Sequence, residues 1–264
     1  MAKTRRVARN GSRALFDDAP EPSPSDLVAL LEPADVLDTL RHFQTPVTMT
    51  HLDPWYNKGV GGVREDYDDW LANVVRLAGN ISQHIFVWGF PEIVWRLLNR
   101  LPPDLSLVAW LTWYYSNCPS VIRGWRSAQY ACLHLSKKGA TLYPEHFLND
   151  VQLDKLKEGK LRYMPGPPSV FDVPLNIGFV GKNEQTGHPA QKPEKVMERL
   201  VMMTTKPGDL VLDPMCGSGT TGAVCQRLGR QAVLCDVSDE YTAITEARLG
   251  IKRSHPPKYA CKNS

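Results

Sequence analysis

The stretch Asp209-Leu210-Val211-Leu212-Asp213-Pro214-Met215-Cys216-Gly217-Ser218-Gly219-Thr220-Thr221 restricts the fold of this chain more than any other. A short apolar run ends in an acid, a turn with two glycines follows, and from Thr220 onward the pattern is that of a helix start. A buried strand, a loop and a helix N-terminus in that order are how open α/β sheets build a ligand site. Gly217 and Gly219 have no Cβ, so the backbone can bend sharply there and approach a ligand closely. Further on, Gln231-Ala232-Val233-Leu234-Cys235-Asp236 gives a second strand ending in an acid, a place from which a carboxylate can hold ribose hydroxyls. The loop is neither GxGxxG nor a P-loop, because no lysine follows its last glycine.

The rest of the chain alternates between strand-like and helix-like runs. Apolar runs at 27–31, 46–52 and 84–88 read as strands, and those at 107–115 and 129–136 as the two arms of a hairpin joined by an arginine-containing turn. Helical spacing marks 36–43, 67–77, 91–99, 191–203, 221–228 and 241–249. Such alternation predicts a doubly wound, mostly parallel sheet of α/β class. Residues 1–25 carry Lys3, Arg5, Arg6, Arg9 and Arg13 and then acids and prolines, and read as a disordered tail. Residues 138–187, rich in Pro, Gly and Lys with few periodic apolar positions, read as an inserted loop region between a catalytic half, 26–137, and a cofactor half, 188–250. The basic end, 252–264, reads as frayed.

At 264 residues and 42% hydrophobic content the chain suits one α/β domain with a sizeable core. The net charge of +3 permits a polyanionic partner without demonstrating one. The six cysteines form no CxxC pair, so a zinc site is not expected; they read as reduced, buried residues of a cytoplasmic protein. No apolar run approaches the roughly 20 residues of a membrane span, and the basic N-terminus has no apolar core behind it.

Two predicted strands end in acid-proline turns, Leu52-Asp53-Pro54 and Leu212-Asp213-Pro214. If the strands are neighbours, both turns open into one crevice. Asp53-Pro54-Trp55-Tyr56 resembles the catalytic tetrapeptide of the DNA amino-methyltransferases, D/N/S-P-P-Y/F/W. The 213–221 loop resembles their S-adenosylmethionine loop, and His188-Pro189-Ala190-Gln191-Lys192-Pro193 the segment, often HPTQKP, that precedes it. Trp113 to Lys137, with Asn117, Pro119 and Arg123, resembles a further family segment. Tetrapeptide, variable region, HPxQKP and glycine loop, in that order, is the circularly permuted β-type arrangement, and the resemblance covers roughly residues 27–250.

The resemblance implies a Rossmann-like methyltransferase sheet of the seven-stranded type, S-adenosylmethionine as cofactor and double-stranded DNA as substrate. An exocyclic base amine is a poor nucleophile, because its lone pair is delocalised into the ring. Asp53 and the Pro54 carbonyl, each accepting one N–H bond, localise that pair once the base has left the duplex. The family's fourth position stacks on the base, which points to Tyr56; Trp55 replaces the family's second proline and competes for that role. On the cofactor side the resemblance implies Asp213, Gly217, Gly219, Thr220 and Thr221 along the methionine and ribose portion, with Pro214, Met215, Cys216 and Ser218 in the same loop. Asp236 then holds the ribose hydroxyls, Lys192 and Pro193 flank the methionine part, and Asp35 reads the adenine amine, its alternative role being a helix cap.

An aspartate-first tetrapeptide goes more often with adenine N6 than with cytosine N4 in this family. A methyltransferase of RNA or protein amides, and a silent DNA-binding relative, are the other readings; the β-type order argues against the first and the intact Asp53 and glycine loop against the second. DNA contacts are expected from Arg123 and Arg126 and from Lys155 and Lys157 in the short insert, which reads few bases unless a second subunit helps. No nuclease motif is visible, so a restriction partner would be a separate chain.

Overall fold

The computed structural model describes residues 24–58, 62–118 and 124–254. The basic tail, Pro119, Arg123 and most of the C-terminal basic segment lie outside these. The chain runs through β1 (Val28–Leu31), α1 (Val36–His42), β2 (Val47–Leu52), α2 (Tyr67–Ile81), β3 (Ser82–Gly89), α3 (Pro91–Val94), β4 (Leu105–Tyr114), β5 (Gln129–Lys137), α4 (Asp150–Lys157), β6 (Val170–Asp172), α5 (Glu194–Thr204), β7 (Leu210–Asp213), α6 (Thr220–Leu228), β8 (Gln231–Leu234), α7 (Asp239–Leu249) and β9 (Arg253–Ser254).

The strands form one sheet in the order β6-β4-β5-β3-β2-β7-β8-β1-β9. Only β5 runs against the rest, pairing antiparallel with β3 and β4. Alternation along each strand sorts side chains to two cores. Ile85 and Val87 of β3 face the cluster with α1 and α2, whereas Phe86 and Trp88 face the cluster with α5 and α6. In α2 the buried positions Trp70, Leu71, Val74, Val75 and Ala78 lie on one stripe, as the i, i+3, i+4 spacing requires.

The pairing that matters most is β2 with β7, parallel, with Met49 opposite Val211 and Thr50 opposite Leu212. From β2 the chain continues outward to β3, and from β7 it continues the other way to β8. The β2/β7 seam is therefore the topological switch point, where open α/β sheets bind ligands. The two acid-proline turns are neighbours.

Four readings change. The sheet has nine strands, because short β6 and β9 extend its two edges. The helix expected over 91–99 is α3 followed by a 3-10 helix, Trp95–Arg100, ended by Pro102 and Pro103, which exclude helix before them. Residues 138–187 are not all loop. α4 is closed by a capping box on Asn149, and β6 pairs with β4 and buries Phe171; at three residues β6 is too short to leave a periodic signal. Finally, Arg253 and Ser254, expected to fray, pair with Leu30 and Leu31.

Candidate active site

All strands but β5 end at the same edge, and a cavity of about 600 Å³ opens there, within the range of small-ligand sites. Its wall includes Asp53, Pro54, Trp55 and Tyr56 from the end of β2 and, from the end of β7, Asp213 through Ser218 with Thr220 and Thr221. Asp35, Asp236 and Lys192 also line it; Gly219 and Pro193 do not.

The glycine loop is fixed from within the protein. Asp213 is buried; its Oδ2 accepts from His51 Nδ1 at 2.9 Å and from the Thr221 hydroxyl, and its Oδ1 accepts from the Met215 amide at 3.2 Å. Asp236 accepts from the Gly217 amide at 2.8 Å and the Ser238 amide at 2.9 Å. Burial pushes the Asp236 carboxyl above its usual range against these bonds, which favour the charged form. Gly217 has φ +51°, and a Cβ there would stand 3.0 Å from His188 Nε2, so the HPxQKP segment lies against the loop. Gly219 has φ +74° and a Cβ there would meet Thr245 Cγ2 at 2.8 Å. The expectation that Gly219 lets a ligand approach therefore gives way to a structural one: it serves the turn and the packing of α7. Pro193 is the N-cap of α5.

Asp35 is an N-cap as well as a cavity residue: its Oδ1 accepts from the Leu37 amide at 2.8 Å. In the spatial order β7, β8, β1, the carboxylates of Asp213, Asp236 and Asp35 follow three adjacent strands and share one cavity.

On the β2 side the two aromatic rings differ in environment. Trp55 is held by Trp70 and Tyr67, with centroids 4.7 and 5.4 Å away, and its carbonyl accepts from the Tyr67 hydroxyl at 2.6 Å. Tyr56 packs on Phe90 and Tyr130 and donates its hydroxyl to Asp53 Oδ1 at 2.7 Å. Lys192 is not merely a neighbour of the loop. Its ammonium reaches across to Asp53 Oδ2 at 2.6 Å and to the Tyr56 hydroxyl at 2.8 Å. Burial works to raise the Asp53 pKa, but Lys192, His51 and the two hydrogen bonds outweigh it, and the carboxyl sits below its ordinary value.

Sequence reasoning missed His51 and Phe90, both in the cavity wall. The signals were present: the strand period of two puts His51 on the same side as Asp53, and Phe90 follows β3, which ends at the same edge as β2. Buried polar atoms without a partner, among the described residues, are His51 Nε2, Trp55 Nε1 and Trp88 Nε1. The first two belong to cavity-lining residues, and the Trp88 ring lies 5.3 Å from the Lys192 ammonium.

The four expected DNA-contacting residues separate. Arg123 lies outside the described residues. Arg126 is exposed in the segment leading into β5, with its Nη1 3.4 Å from the Cys118 carbonyl. Lys155 and Lys157 are exposed on α4 and line no part of the cavity. The segment leading into α4 is tied to Met202 and Met203 by Tyr143 and His146. Those methionines lie eight to nine residues down α5 from its start beside Lys192, about 12–14 Å at 1.5 Å per residue.

Residues 47–247 match the family described as DNA methylase, the N6 and N4 amino-methyltransferases. The chain belongs to that family. It is 29% identical over 228 residues to the type II methyltransferase M.HpaI of Haemophilus parainfluenzae, covering 78% of this chain and 69% of that one. It is 26% identical over 227 residues to the DNA adenine methyltransferase YhdJ of Escherichia coli (strain K12), covering 78% and 76%. Among solved structures, the M1.HpyAVI-SAM complex superposes with a TM-score of 0.65 at 22% identity, over 84% of this chain and 98% of that one.

Proposed function

We propose that this protein transfers a methyl group from S-adenosylmethionine to the exocyclic N6 amine of adenine in double-stranded DNA. One observation carries the reading: the Asp53-Pro54 turn and the glycine loop leave adjacent strands and face one cavity. The residues fit the cofactor. It presents an ammonium, a ribose diol and an adenine amine, all N–H or O–H donors, and the cavity presents the carboxylates of Asp213, Asp236 and Asp35 in a row. The unpartnered, buried His51 Nε2 adds a further polar contact in the same wall. When bound, the cofactor supplies an electrophilic methyl on a sulfonium, which leaves with its S–C electron pair on sulfur.

The protein's own residues handle the amine. Asp53 accepts one N–H bond and the Pro54 carbonyl the other, which turns the nitrogen lone pair out of conjugation and toward the methyl. Once the N–C bond has formed, the surplus proton passes to Asp53 and on to water. Adenine is favoured because the tetrapeptide begins with aspartate, and YhdJ, the 26% identical relative, bears the name of an adenine enzyme. Incubation with methyl-labelled cofactor and mixed-sequence duplex, followed by digestion to nucleosides, should place the label in N6-methyldeoxyadenosine. Label in N4-methyldeoxycytidine transfers the same mechanism to cytosine, and unlabelled DNA overturns the proposal.

We place the duplex at the cavity edge of the sheet, over the turn that carries Arg126 and the 99% exposed Trp125. The sequence gives Trp125 away only as a large apolar residue between Gly124 and Arg126, outside any periodic run. Arg126→Ala should lower the slope of log affinity against log salt by about 0.9, the loss of one phosphate contact. Lys155→Ala and Lys157→Ala should leave that slope unchanged. Fluorescence anisotropy over a salt series measures both, and a slope lost at α4 instead moves the DNA to the other end of the molecule.

A further inference from the structure

The family resemblance gives Tyr56 a ring to stack and places Lys192 beside the cofactor; neither role uses the contacts these two make. The Lys192 side chain is 5% exposed. A buried ammonium is costly unless it is paired and hydrogen-bonded, and here every feature around it meets that need. Its Nζ donates to Asp53 Oδ2 and to the Tyr56 hydroxyl, and that hydroxyl donates in turn to Asp53 Oδ1, closing a ring of three hydrogen bonds. The rings of Tyr130, Trp88, Tyr56 and Trp113 surround it at 5.2, 5.3, 5.5 and 5.8 Å from their centroids, within the distance at which a π face attracts a cation. The backbone is fixed as well: the Lys192 carbonyl accepts from the Thr220 hydroxyl at 3.0 Å, so the lysine is anchored on the glycine-loop side of the seam while its charge lies on the other.

We propose that Lys192 and the Tyr56 hydroxyl are positioning residues that form a two-point brace on Asp53, holding the acceptor carboxylate in one orientation and in its anionic form during methyl transfer. This rests on the methyl-transfer reading above. Each carboxylate oxygen has two acceptor sites; the brace occupies one on each and leaves one on each for the base amine. Burial pushes the Tyr56 phenol well above its usual pKa, and the neighbouring Asp53 adds to that, so the hydroxyl keeps its proton and remains the donor. The Asp53 carboxyl is held low by the charges and hydrogen bonds described above, despite its burial. It therefore accepts a hydrogen bond from the neutral amine and takes the proton only after the nitrogen has been methylated. With the folded-state pKa below the unfolded one, the pair contributes stability above the unfolded value of about 3.9 and loses it as pH falls through the folded value.

The test reads the carboxyl itself as well as the reaction. Carbon-13 NMR of the Asp53 side-chain carboxyl in the cofactor-free protein follows its titration in wild type, Lys192→Met and Tyr56→Phe. Single-turnover methylation at saturating cofactor gives the pH–rate profile of the same proteins. The brace predicts that Lys192→Met raises the Asp53 pKa by at least one unit and brings an acid limb of the same pKa into the rate profile. Tyr56→Phe should raise it by less, and Lys192→Arg should restore part of the wild-type value. An Asp53 pKa unmoved in Lys192→Met overturns the brace even if the enzyme methylates DNA. Should Lys192→Met not fold, an Asp53 titration and rate profile unchanged in Tyr56→Phe overturn it equally. A wild-type protein that methylates no DNA removes the functional reading, while the NMR titration still decides whether the brace exists.

Discussion

Asp53→Ala should lower the single-turnover rate of methyl transfer by about 10²–10⁴-fold, the usual worth of a positioned acid–base group, and leave duplex affinity within a few-fold. The separation follows from where the groups lie. Asp53 lines the cavity and is paired with the buried Lys192, whereas phosphate contacts, which dominate DNA affinity, are expected from exposed basic residues such as Arg126. The substitution also leaves the Lys192 ammonium buried without its ion-pair partner, so some loss of thermal stability should accompany the loss of rate. Quenched-flow methylation paired with anisotropy binding separates the effects. A rate within a few-fold of wild type excludes Asp53 as the acceptor.

Gly217→Val should weaken S-adenosylmethionine binding at least 100-fold, or about 2.8 kcal/mol at 1.4 kcal/mol per decade. Gly217 lines the cavity, sits at φ +51° and gives its amide to Asp236. A branched side chain there strains the backbone, presses on His188 and dislodges the carboxylate expected to hold the ribose. Gly219→Val, by contrast, should act chiefly on stability, because its clash is with Thr245 and not with the cavity. Calorimetry with circular dichroism on both variants distinguishes these outcomes. Near-normal affinity in a folded Gly217→Val protein would remove this loop from the cofactor site.

Much of the fold was legible because its strands and helices carry long, unambiguous periods. The helix read over 67–77, which the structure extends to Ile81, and the hairpin arms follow directly from apolar spacing. What escaped was short or set by partners: β6 and β9 exist through pairing with β4 and β1, and three or two residues carry no period of their own. The candidate site was legible where chemistry sits on consecutive residues, as in Asp53-Pro54 and the 213–221 loop. It was not legible where the chemistry depends on a contact across the seam. Nothing local to Lys192 tells that its ammonium reaches Asp53, 139 positions away. A stacking role for Tyr56 needs only its ring and gives no sign of the hydroxyl's bond to Asp53.

The position of β1 bears on how the molecule is made. Its residues leave the ribosome before those they pair with, Val28 before Ala232 and Leu30 before Arg253. Until those late segments leave the ribosome, β1 has no neighbour on either side. The strands β2 to β5, contiguous in sequence, can associate first, at small loop-closure cost. β1 can be enclosed only once β8 and β9 have been made, so Asp53 exists in the nascent chain long before its partner Lys192 and the 213–221 loop.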